Sequence, residues 1–303
     1  MRLETVRLEL AGPDGSVREN EPLSGHTTWR IGGPARFFCH VRTEAGLARV
    51  LEQSSRERLP VAMLGMGSNV LVSDDGFPGC VVRLEGDFVS VTIDGERLRA
   101  GGGAGLGAIC AAAARAGLSG IEPISGIPSS LGGAVRINAG AYGGEIFDVL
   151  ESVRLASRAG ALREARASDI PHGYRWTALC DTGEIVCSAW LRLRRAPREE
   201  IAAKTRAVAE KRRGALPGEP NAGSVFKNPP GDYAGRLIEA CGLKGTAQGG
   251  AAISERHANV IVNRGGARSA DVLALMRRMR DAVRDRFGIT LVPEVEILGG
   301  KWE

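Results

Sequence analysis

The sequence has few aromatic residues, few histidines and few lysines. Tryptophan, tyrosine and phenylalanine together form 5% of the 303 residues, and histidine occurs four times. Such a shortage of rings argues against a surface on which nucleic-acid bases stack. Lysine supplies only five of the 40 basic residues, and the arginines lie among acids. The net charge of +5 therefore indicates a solvated surface rather than a polyanion-binding patch.

Long apolar runs and metal-binding patterns are also missing. No run without a charged residue exceeds 15 residues, and one run of that length, 100–114, contains five glycines, so it is too short and too interrupted to cross a bilayer. The start, Met1–Glu4, is charged and no apolar signal-peptide core follows it, so we expect a cytoplasmic protein. The cysteines show no CxxC pair and no histidine at metal-ligand spacing. We therefore expect no metal site and mostly buried thiols, at Cys39, Cys80, Cys110, Cys180, Cys187 and Cys241.

Glycine, by contrast, is abundant, with 42 residues, or roughly twice the usual share of about 7%. Helical and strand-like patterns alternate between the glycine-rich segments, which predicts an α+β protein in at least two parts. Helices are predicted at Glu44–Arg58, behind the cap Thr43, and at Ser269–Phe287, where Ser269 itself gives the N-terminal signal. A long buried strand is predicted at Ile185–Leu193. A polar helix near Glu199–Arg213 predicts a connector, with a domain boundary in or near it.

Shorter elements are predicted between these. Phe88–Ile93 and Arg97–Ala100 are expected to form a hairpin around a turn at Asp94–Gly95. Apolar β-branched runs predict short strands at Val70–Val72 and Ile289–Leu291, among others.

Three glycine-rich segments suggest phosphate binding. The first, Gly65–Val70, lies between two apolar strands, and the second, Gly101–Gly105, is typical of a helix start beneath a sheet. The third, Ser125–Ala134 with Asn138–Gly143, is so rich in glycine, serine and asparagine that we expect a ligand site lined by backbone. A Rossmann fingerprint would need a third glycine and a following helix, and a P-loop would need GK[ST], so both are excluded. An anion at the first segment would be held by loop N–H groups together with its serine and asparagine.

Six motifs, in order along nearly the whole chain, resemble those of the UDP-N-acetylenolpyruvoylglucosamine reductases. Each motif alone is moderately specific, but six in the family's order are a strong signal. They are Thr28–Ala35, Gly65–Val70 with Asp75–Gly79, Gly126–Gly143, Asn221–Pro229, Ser254–Asn259 and Pro293–Val295.

The resemblance implies the two-lobed FAD-binding fold of the vanillyl-alcohol and p-cresol oxidase flavoproteins, followed by a C-terminal α+β domain that binds substrate. We expect FAD-binding lobes at residues 1–84 and 85–213 and the substrate-binding domain at 214–303. FAD and NADPH are the implied cofactors. The implied FAD-binding residues are Gly65, Gly67, Ser68, Asn69, Val70, Ser125, Gly126, Ile127, Pro128, Ser130, Gly132, Gly133, Ala134 and Tyr142.

The resemblance also implies a reaction. NADPH reduces FAD, and hydride then passes from flavin N5 to the β-carbon of UDP-N-acetylglucosamine enolpyruvate, giving UDP-N-acetylmuramate for peptidoglycan precursor synthesis. Negative charge builds on the substrate carboxylate, so fixed donors aimed at it are the largest expected catalytic contribution. Arg175 is the implied guanidinium that grips both carboxylate oxygens. Glu294 is implied beside it, kept protonated by repulsion from that carboxylate, and Ser224 is the implied proton donor to the α-carbon.

Four further residues match substrate-contacting positions of the family. They are Tyr174, Lys227, Asn228 and His257. For His257, structural support is favoured over a direct role, because no step of the reaction needs a base.

The sequence departs from the family pattern at Ser129, at Gly214 and at Ala215–Pro220, which replaces a Gln–Pro–Leu segment. Ser129 replaces a usual glycine, so a positive φ is not expected there. Gly214 falls where many members carry a lysine, for which Arg212 or Arg213 could substitute. No tyrosine lies between Arg175 and Ser224, which indicates the family type without a tyrosine-bearing loop over the UDP phosphates.

Two other functions stay open at this point. One is a flavin-dependent alcohol or hydroxy-acid oxidase on the same fold, although His26 and His40 lack the setting of a flavin-tethering residue. The other is a non-catalytic nucleotide-sugar-binding module, which would be colourless. For partners we expect small molecules only, with no nucleic acid and no membrane, and we expect a monomer.

Overall fold

The computed structural model describes residues 8–302, so the charged start Met1–Glu4 lies outside them. Seven α-helices form within that range: α1 (Glu44–Arg56), α2 (Leu106–Arg115), α3 (Leu131–Arg136), α4 (Leu179–Thr182), α5 (Arg198–Ala215), α6 (Ala234–Ala240) and α7 (Ser269–Phe287). The strands of the same range are β1 (Gly15–Pro22), β2 (Pro34–Val41), β3 (Val61–Met63), β4 (Val70–Val72), β5 (Phe77–Leu84), β6 (Val91–Asp94), β7 (Arg97–Gly101), β8 (Leu118–Ser119), β9 (Gly140–Ala141), β10 (Gly144–Glu145), β11 (Leu150–Ala156), β12 (Leu162–Arg166), β13 (His172–Gly173), β14 (Trp176–Thr177), β15 (Ile185–Arg192), β16 (Arg194–Arg195), β17 (Asn221–Ser224), β18 (Ala247–Gln248), β19 (Ala251–Ile253), β20 (Val260–Asn263) and β21 (Glu296–Leu298).

The described chain divides by its contacts into two compact units. Unit 1 comprises residues 8–19, 37–65 and 79–211, and unit 2 comprises residues 20–36, 66–78 and 212–302. These units are defined by packing, whereas the predicted boundaries after residues 84 and 213 concern ligand-binding roles. Those boundaries stay predictions.

In unit 1, helix α1 shares a core with a sheet of strand order β1-β2-β5-β3. The Thr43 hydroxyl accepts a hydrogen bond from Gly46 N at 3.0 Å and so begins the helix as predicted. Leu47 and Val50, one turn apart on α1, are buried in the same core as Phe37 of β2. The 3.6-residue apolar period therefore places this helix on the sheet.

A five-stranded antiparallel sheet of order β12-β11-β15-β7-β6 forms the second core of unit 1. The central strand β15 is almost continuously buried, as expected for an apolar strand flanked on both edges. Ile109 of α2, Leu131 of α3 and Leu191 of β15 are fully buried in one cluster. The second and third glycine-rich segments, which precede α2 and α3, are thereby anchored to this sheet.

Unit 2 combines an antiparallel sheet of order β17-β20-β19-β18 with helices α6 and α7. Trp29 is fully buried in their core, and its indole N–H donates to Ile261 O at 2.7 Å. The Asn263 side chain donates in turn to Trp29 O at 2.9 Å. The first sequence motif is thus bound to the sheet of unit 2. Strand β21 pairs in parallel with β4, with Ile297 opposite Leu71.

Most predicted elements are confirmed, and the α+β class with them. Helix α7 spans the predicted residues, α1 ends two residues early at Arg56, and the connector helix α5 is slightly longer than predicted. Strand β4 forms as predicted, and β11 pairs with β12 in a further antiparallel hairpin. The backbone at Ser129 has no positive φ, in agreement with the expectation for a serine.

Two local predictions are wrong. Ile289–Leu291 is not a strand, because an apolar run needs a neighbouring strand to pair with, and the C-terminal strand forms later, at Glu296–Leu298. The first hairpin pairs Asp94 with Arg97, so its turn lies one residue later, with Gly95 at φ +60°.

Candidate active site

The second and third glycine-rich segments lie against each other in unit 1. Leu131 N donates to Ala104 O at 2.8 Å, Gly132 N to Gly102 O at 2.8 Å, and Leu106 N to Ser129 O at 2.9 Å. The second segment does begin helix α2, as predicted. Its backbone also fixes the start of α3, which was not predicted.

The first glycine-rich segment reaches this same place through Gly65, just after β3. A Cβ atom on Gly65 would lie 2.3 Å from Ser130 Oγ, so no other residue fits there without displacing that hydroxyl. Ser130 itself accepts a hydrogen bond from Gly133 N at 3.3 Å and caps α3. Gly65 O accepts a hydrogen bond from the Arg83 guanidinium at 3.2 Å.

These residues fit the diphosphate and hydroxyl-rich linker of FAD. The N–H groups of Leu131, Gly132 and Gly133 are bonded within the protein. Donors around Gly65 include serine hydroxyls and the Arg83 guanidinium, and residues 125–134 include no acid. Such a set favours an anionic ligand.

In unit 2, the rest of the first segment is bound to the predicted glutamate motif. Asn69 Nδ2 donates to Glu294 O at 3.1 Å, and Glu296 N donates to Asn69 O at 3.0 Å. Gly67 has a φ of +64°, and a Cβ there would lie 2.1 Å from His26 O. One Asn69 amide hydrogen is therefore used to position the backbone of Glu294.

Ser224 and Glu294 are brought onto neighbouring backbone segments of unit 2. Glu294 N donates to Val225 O at 2.9 Å, directly after Ser224 in the chain, and both Ser224 and Glu294 are half-buried. Strand β17 is irregular before Ser224, where Gly223 has a φ of +71°. Within residues 8–302 the Ser224 hydroxyl makes no hydrogen bond, so it is available to a ligand.

The segment after Ser224 is held by Asn259. The Asn259 side chain accepts a hydrogen bond from Phe226 N at 3.1 Å and donates one to Phe226 O at 2.8 Å. It therefore satisfies both backbone groups of Phe226, as a neighbouring strand would. Val225 N donates to Asn259 O at 2.9 Å on the same side. Both Asn259 and Phe226 are buried, which makes these bonds costly to leave unmade.

Arg175 lies in unit 1, in the turn between β13 and β14. Its φ of +53° is in the left-handed region, which arginine adopts only at an energetic cost. Its guanidinium donates to Gly140 O at 2.5 Å and lies 5.2 Å from the centre of the Tyr174 ring. Asn138 donates to Gly173 O at 3.2 Å, so the third glycine-rich segment supports the Arg175 turn from two sides.

Tyr142 and Tyr174 are the predicted aromatic ligand contacts of unit 1. Tyr142 is 42% exposed and Tyr174 is 51% exposed. Tyr142 has a φ of +51° and precedes Gly143 at +83°, which is the turn that joins the short strands β9 and β10. Both rings are therefore accessible to a ligand.

The remaining predicted substrate contacts lie in unit 2. Lys227 N donates to Val292 O at 2.9 Å, and Asn228 Oδ1 accepts from Ala234 N at 3.1 Å at the start of α6. His257 Nδ1 accepts a hydrogen bond from Asn259 N at 3.2 Å. Burial lowers the pKa of His257, so this ring is held neutral and buttresses Asn259.

Other chemistry finds little support in the described part of the chain. Residues 8–302 contain no cluster of three or more His, Cys, Asp or Glu that could hold a metal ion. None of their helices is long and apolar enough to cross a membrane. All six cysteines are thiols; three are buried and three half-buried, and burial raises the pKa of Cys110 and Cys187 to about 12.

Two residues of the site were missed from the sequence. Arg83 lies in none of the six family motifs, and its contact with Gly65 depends on the pairing of β3 with β5. Asn259 lies within a quoted motif, but its partner Phe226 is 33 residues away, and no spacing rule connects the two.

Comparisons with known proteins agree on one family. Residues 216–298 match the sequence model of the UDP-N-acetylenolpyruvoylglucosamine reductase C-terminal domain, and residues 35–166 match that of an FAD binding domain. A protein of Symbiobacterium thermophilum described as UDP-N-acetylenolpyruvoylglucosamine reductase 2 is 45% identical over 98% of this chain and 96% of its own length.

Two further relatives agree with these matches. The UDP-N-acetylenolpyruvoylglucosamine reductase of Heliobacterium modesticaldum is 45% identical over 94% of this chain and 91% of its own length. The crystal structure of the reductase from Thermus caldophilus superposes with a TM-score of 0.81 at 40% identity, covering 94% of this chain and 98% of that one.

Proposed function

This chain belongs to the UDP-N-acetylenolpyruvoylglucosamine reductase family, with an FAD-binding domain and the family's C-terminal domain. The resemblance and the fold class predicted from the sequence are thereby confirmed. From this membership we propose that the protein uses NADPH to reduce the carbon–carbon double bond of UDP-N-acetylglucosamine enolpyruvate, giving UDP-N-acetylmuramate. It acts in the cytoplasm, where it catalyses one step of peptidoglycan precursor synthesis.

The observation that carries the proposal is the hydrogen bond from Glu294 N to Val225 O. It puts the proposed proton donor, Ser224, and the proposed partner of the substrate carboxylate, Glu294, on neighbouring backbone segments. This adjacency supports the proposal that one three-carbon acid contacts both side chains. Bound FAD supplies the hydride chemistry, from NADPH to the β-carbon of the enolpyruvyl group.

Arg175 and Glu294 act on the substrate carboxylate. When hydride adds to the β-carbon, the electron pair of the double bond moves onto the α-carbon and the carboxylate, which forms an enediolate. The Arg175 guanidinium keeps its proton and binds both oxygens, so the added charge is met by a fixed cation. Protonated Glu294 donates a hydrogen bond to the same group.

Ser224 completes the reaction by protonating the α-carbon. A serine hydroxyl is a weak acid, but a carbanion-like enediolate is a strong base, so transfer at contact distance is feasible. The α-carbon becomes a C–H centre and the serine alkoxide regains its proton from solvent. The Ser224 hydroxyl makes no hydrogen bond within the described residues, which supports this role.

The decisive experiment separates the two half-reactions in Ser224→Ala. We expect flavin binding and flavin reduction by NADPH to stay at wild-type rates, because neither needs the hydroxyl. Oxidation of the flavin by the enolpyruvyl substrate should slow about 10²–10⁴-fold. Ser90→Ala, which removes an exposed hydroxyl bonded to Asp87 O, is the matched control.

Two outcomes on the wild type, and one on Ser224→Ala, would contradict the proposal. A colourless protein that takes up no FAD would support the non-catalytic binding module. Oxygen consumption with an alcohol and without NADPH would support the oxidase. Wild-type turnover in Ser224→Ala would remove Ser224 from the mechanism.

A further inference from the structure

Arg83 is a partly buried cation with very few partners. Its terminal nitrogen donates to Gly65 O at 3.2 Å, and its guanidinium carbon lies 5.5 Å from the centre of the Phe38 ring. Its Nε is buried and has no hydrogen-bond partner. The hydrogen bond to Gly65, by contrast, lies in an exposed position, so one end of the guanidinium is buried and the other is open.

No carboxylate forms an ion pair with Arg83 among residues 8–302. Glu85 directly follows β5, two residues after Arg83, and its Oε1 is bound to His40 Nδ1 at 2.7 Å. Burial lowers the pKa of the Arg83 guanidinium, and the Glu85 charge only partly opposes that effect. A buried arginine normally needs a carboxylate or several carbonyls around it.

A purely structural role does not account for this arrangement. One hydrogen bond to a carbonyl and one ring contact do not offset the cost of a buried N–H group without a partner. An apolar side chain of the same length would pack beside Phe38 without that cost. The charge is therefore explained by a ligand that is negatively charged and lies at the Gly65 end of the side chain.

We propose that Arg83 is a binding residue for the diphosphate of FAD. The guanidinium supplies a cation at the glycine-rich cradle formed by Gly65, Ser130 and Gly132. Its bond to Gly65 O also fixes the peptide bond between Gly65 and Met66. In a trans peptide the N–H points away from the carbonyl, so the Met66 N–H is oriented as well. This inference rests on the proposed function only in that FAD is the bound cofactor.

The test compares FAD binding with stability in the apoprotein. Arg83→Met keeps the length and apolar stem of the side chain and removes the charge. We expect the dissociation constant for FAD, measured by flavin fluorescence quenching, to rise about 10- to 100-fold, as for the loss of a charge-assisted hydrogen bond. We also expect apoprotein stability to stay unchanged or rise, because an unsatisfied buried group is removed. Arg83→Lys, which keeps the charge, should recover part of the affinity.

Arg158→Met is the matched control. Arg158 is also an arginine of unit 1 that donates to a carbonyl of β3, Val61 O at 3.0 Å, but at the opposite end of that strand from Gly65. We expect the Arg158→Met variant to bind FAD with the same affinity as the wild type. Adenosine diphosphate and adenosine, tested on the apoprotein by calorimetry, separate the contributions: Arg83→Met should weaken the diphosphate and leave adenosine unchanged.

The outcomes are distinct. If Arg83→Met loses apoprotein stability and keeps the wild-type affinity for FAD, Arg83 is a structural residue and the inference is overturned. An equal loss of affinity in Arg83→Met and Arg158→Met would also overturn it. If the affinity for FAD is unchanged but the KM of NADPH or of the UDP substrate rises, the cation serves another diphosphate. A wild type that binds no FAD would refute the proposed function instead.

Discussion

Replacing Asp74 by alanine tests whether a residue far from a helix in sequence can cap it. The Asp74 carboxylate accepts hydrogen bonds from Ser269 N at 2.8 Å and from Ala270 N at 3.2 Å, the first N–H groups of α7. In return, Asp74 N donates to Ser269 Oγ at 2.9 Å. The side chain of Asp74 is only 24% exposed, and all these residues belong to unit 2.

The cost of Asp74→Ala follows from these bonds. Loss of a helix-capping side chain costs about 0.5–2 kcal/mol, and loss of a negative charge at a helix N-terminus adds about 0.3–1 kcal/mol. The nearby Arg268 Nε, at 3.6 Å on a 71% exposed side chain, adds almost nothing. We expect Asp74→Ala to destabilise unit 2 by about 1–3 kcal/mol. Asp74→Asn, which keeps one acceptor oxygen, should cost about half as much.

The same bonds set the pH dependence. Burial acts to raise the pKa of Asp74, but hydrogen bonds from Ser269 and Ala270 and the charge of Arg268 outweigh it, so the folded-state pKa lies below the ordinary value of 3.8. The ionised carboxylate therefore stabilises the folded state fully above that ordinary value. Its contribution is lost as the pH falls through the lower folded-state pKa. The stability difference between wild type and Asp74→Ala should shrink in that acidic range.

Urea unfolding, together with hydrogen exchange of the first turn of α7, measures this effect. Hydrogen exchange is needed because two compact units need not unfold in one step. The control is Asp75→Ala, whose carboxylate makes no hydrogen bond within residues 8–302 and which should change stability by less than about 0.5 kcal/mol. If Asp74→Ala and Asp75→Ala have the same stability and the same exchange rates in α7, the capping argument is refuted.

Two other substitutions probe the site. Gly67→Ala should destabilise the protein by more than about 1–2 kcal/mol in urea unfolding, because φ is +64° and the new methyl would lie 2.1 Å from His26 O. Gly107→Ala, in open space on helix α2, should instead stabilise it by about 0.5–1 kcal/mol, and equal effects would contradict the steric reasoning. Asn259→Ala should cost about 2–4 kcal/mol and slow flavin oxidation by substrate, because it leaves Phe226 N and O unpaired in the core. Wild-type stability in that variant would mean that the loop after Ser224 does not depend on Asn259.

The parts of the fold that follow from local chemistry could be predicted. Both ends of helix α7 are predicted to the exact residue. Its apolar period starts at Ser269 and stops before Gly288, which has a left-handed φ of +69°. The strand predicted at Ile289–Leu291 failed because β-propensity describes an extended backbone and says nothing about a partner strand. The glycine-rich segments were found by composition, but that Ala104 and Leu131 meet was not, since that contact depends on how the sheet closes.

Several side chains of the described residues are held by hydrogen-bond partners far away in the sequence, and these contacts could not be predicted. Asp74 and Ser269 are 195 residues apart, and Asn69 and Glu294 are 225 apart. No periodicity or motif spacing extends over such distances. The family motifs identify which residues belong to the site, but only the structure shows which of them hold one another in place.

Arg175 and Arg83 share a feature that argues for ligand binding independently of the motifs. Arg175 is held at a positive φ, which costs about 1–2 kcal/mol for a residue with a Cβ atom, where glycine or asparagine would adopt it more easily. Arg83 buries an unsatisfied N–H group, where methionine would bury none. Departures from local preference are expected at functional sites, although Arg30 and Arg58 also have a positive φ. Both cations lie in unit 1 beside glycine-rich segments, so we attribute their cost to the binding of anionic groups, the substrate carboxylate at Arg175 and the FAD diphosphate at Arg83.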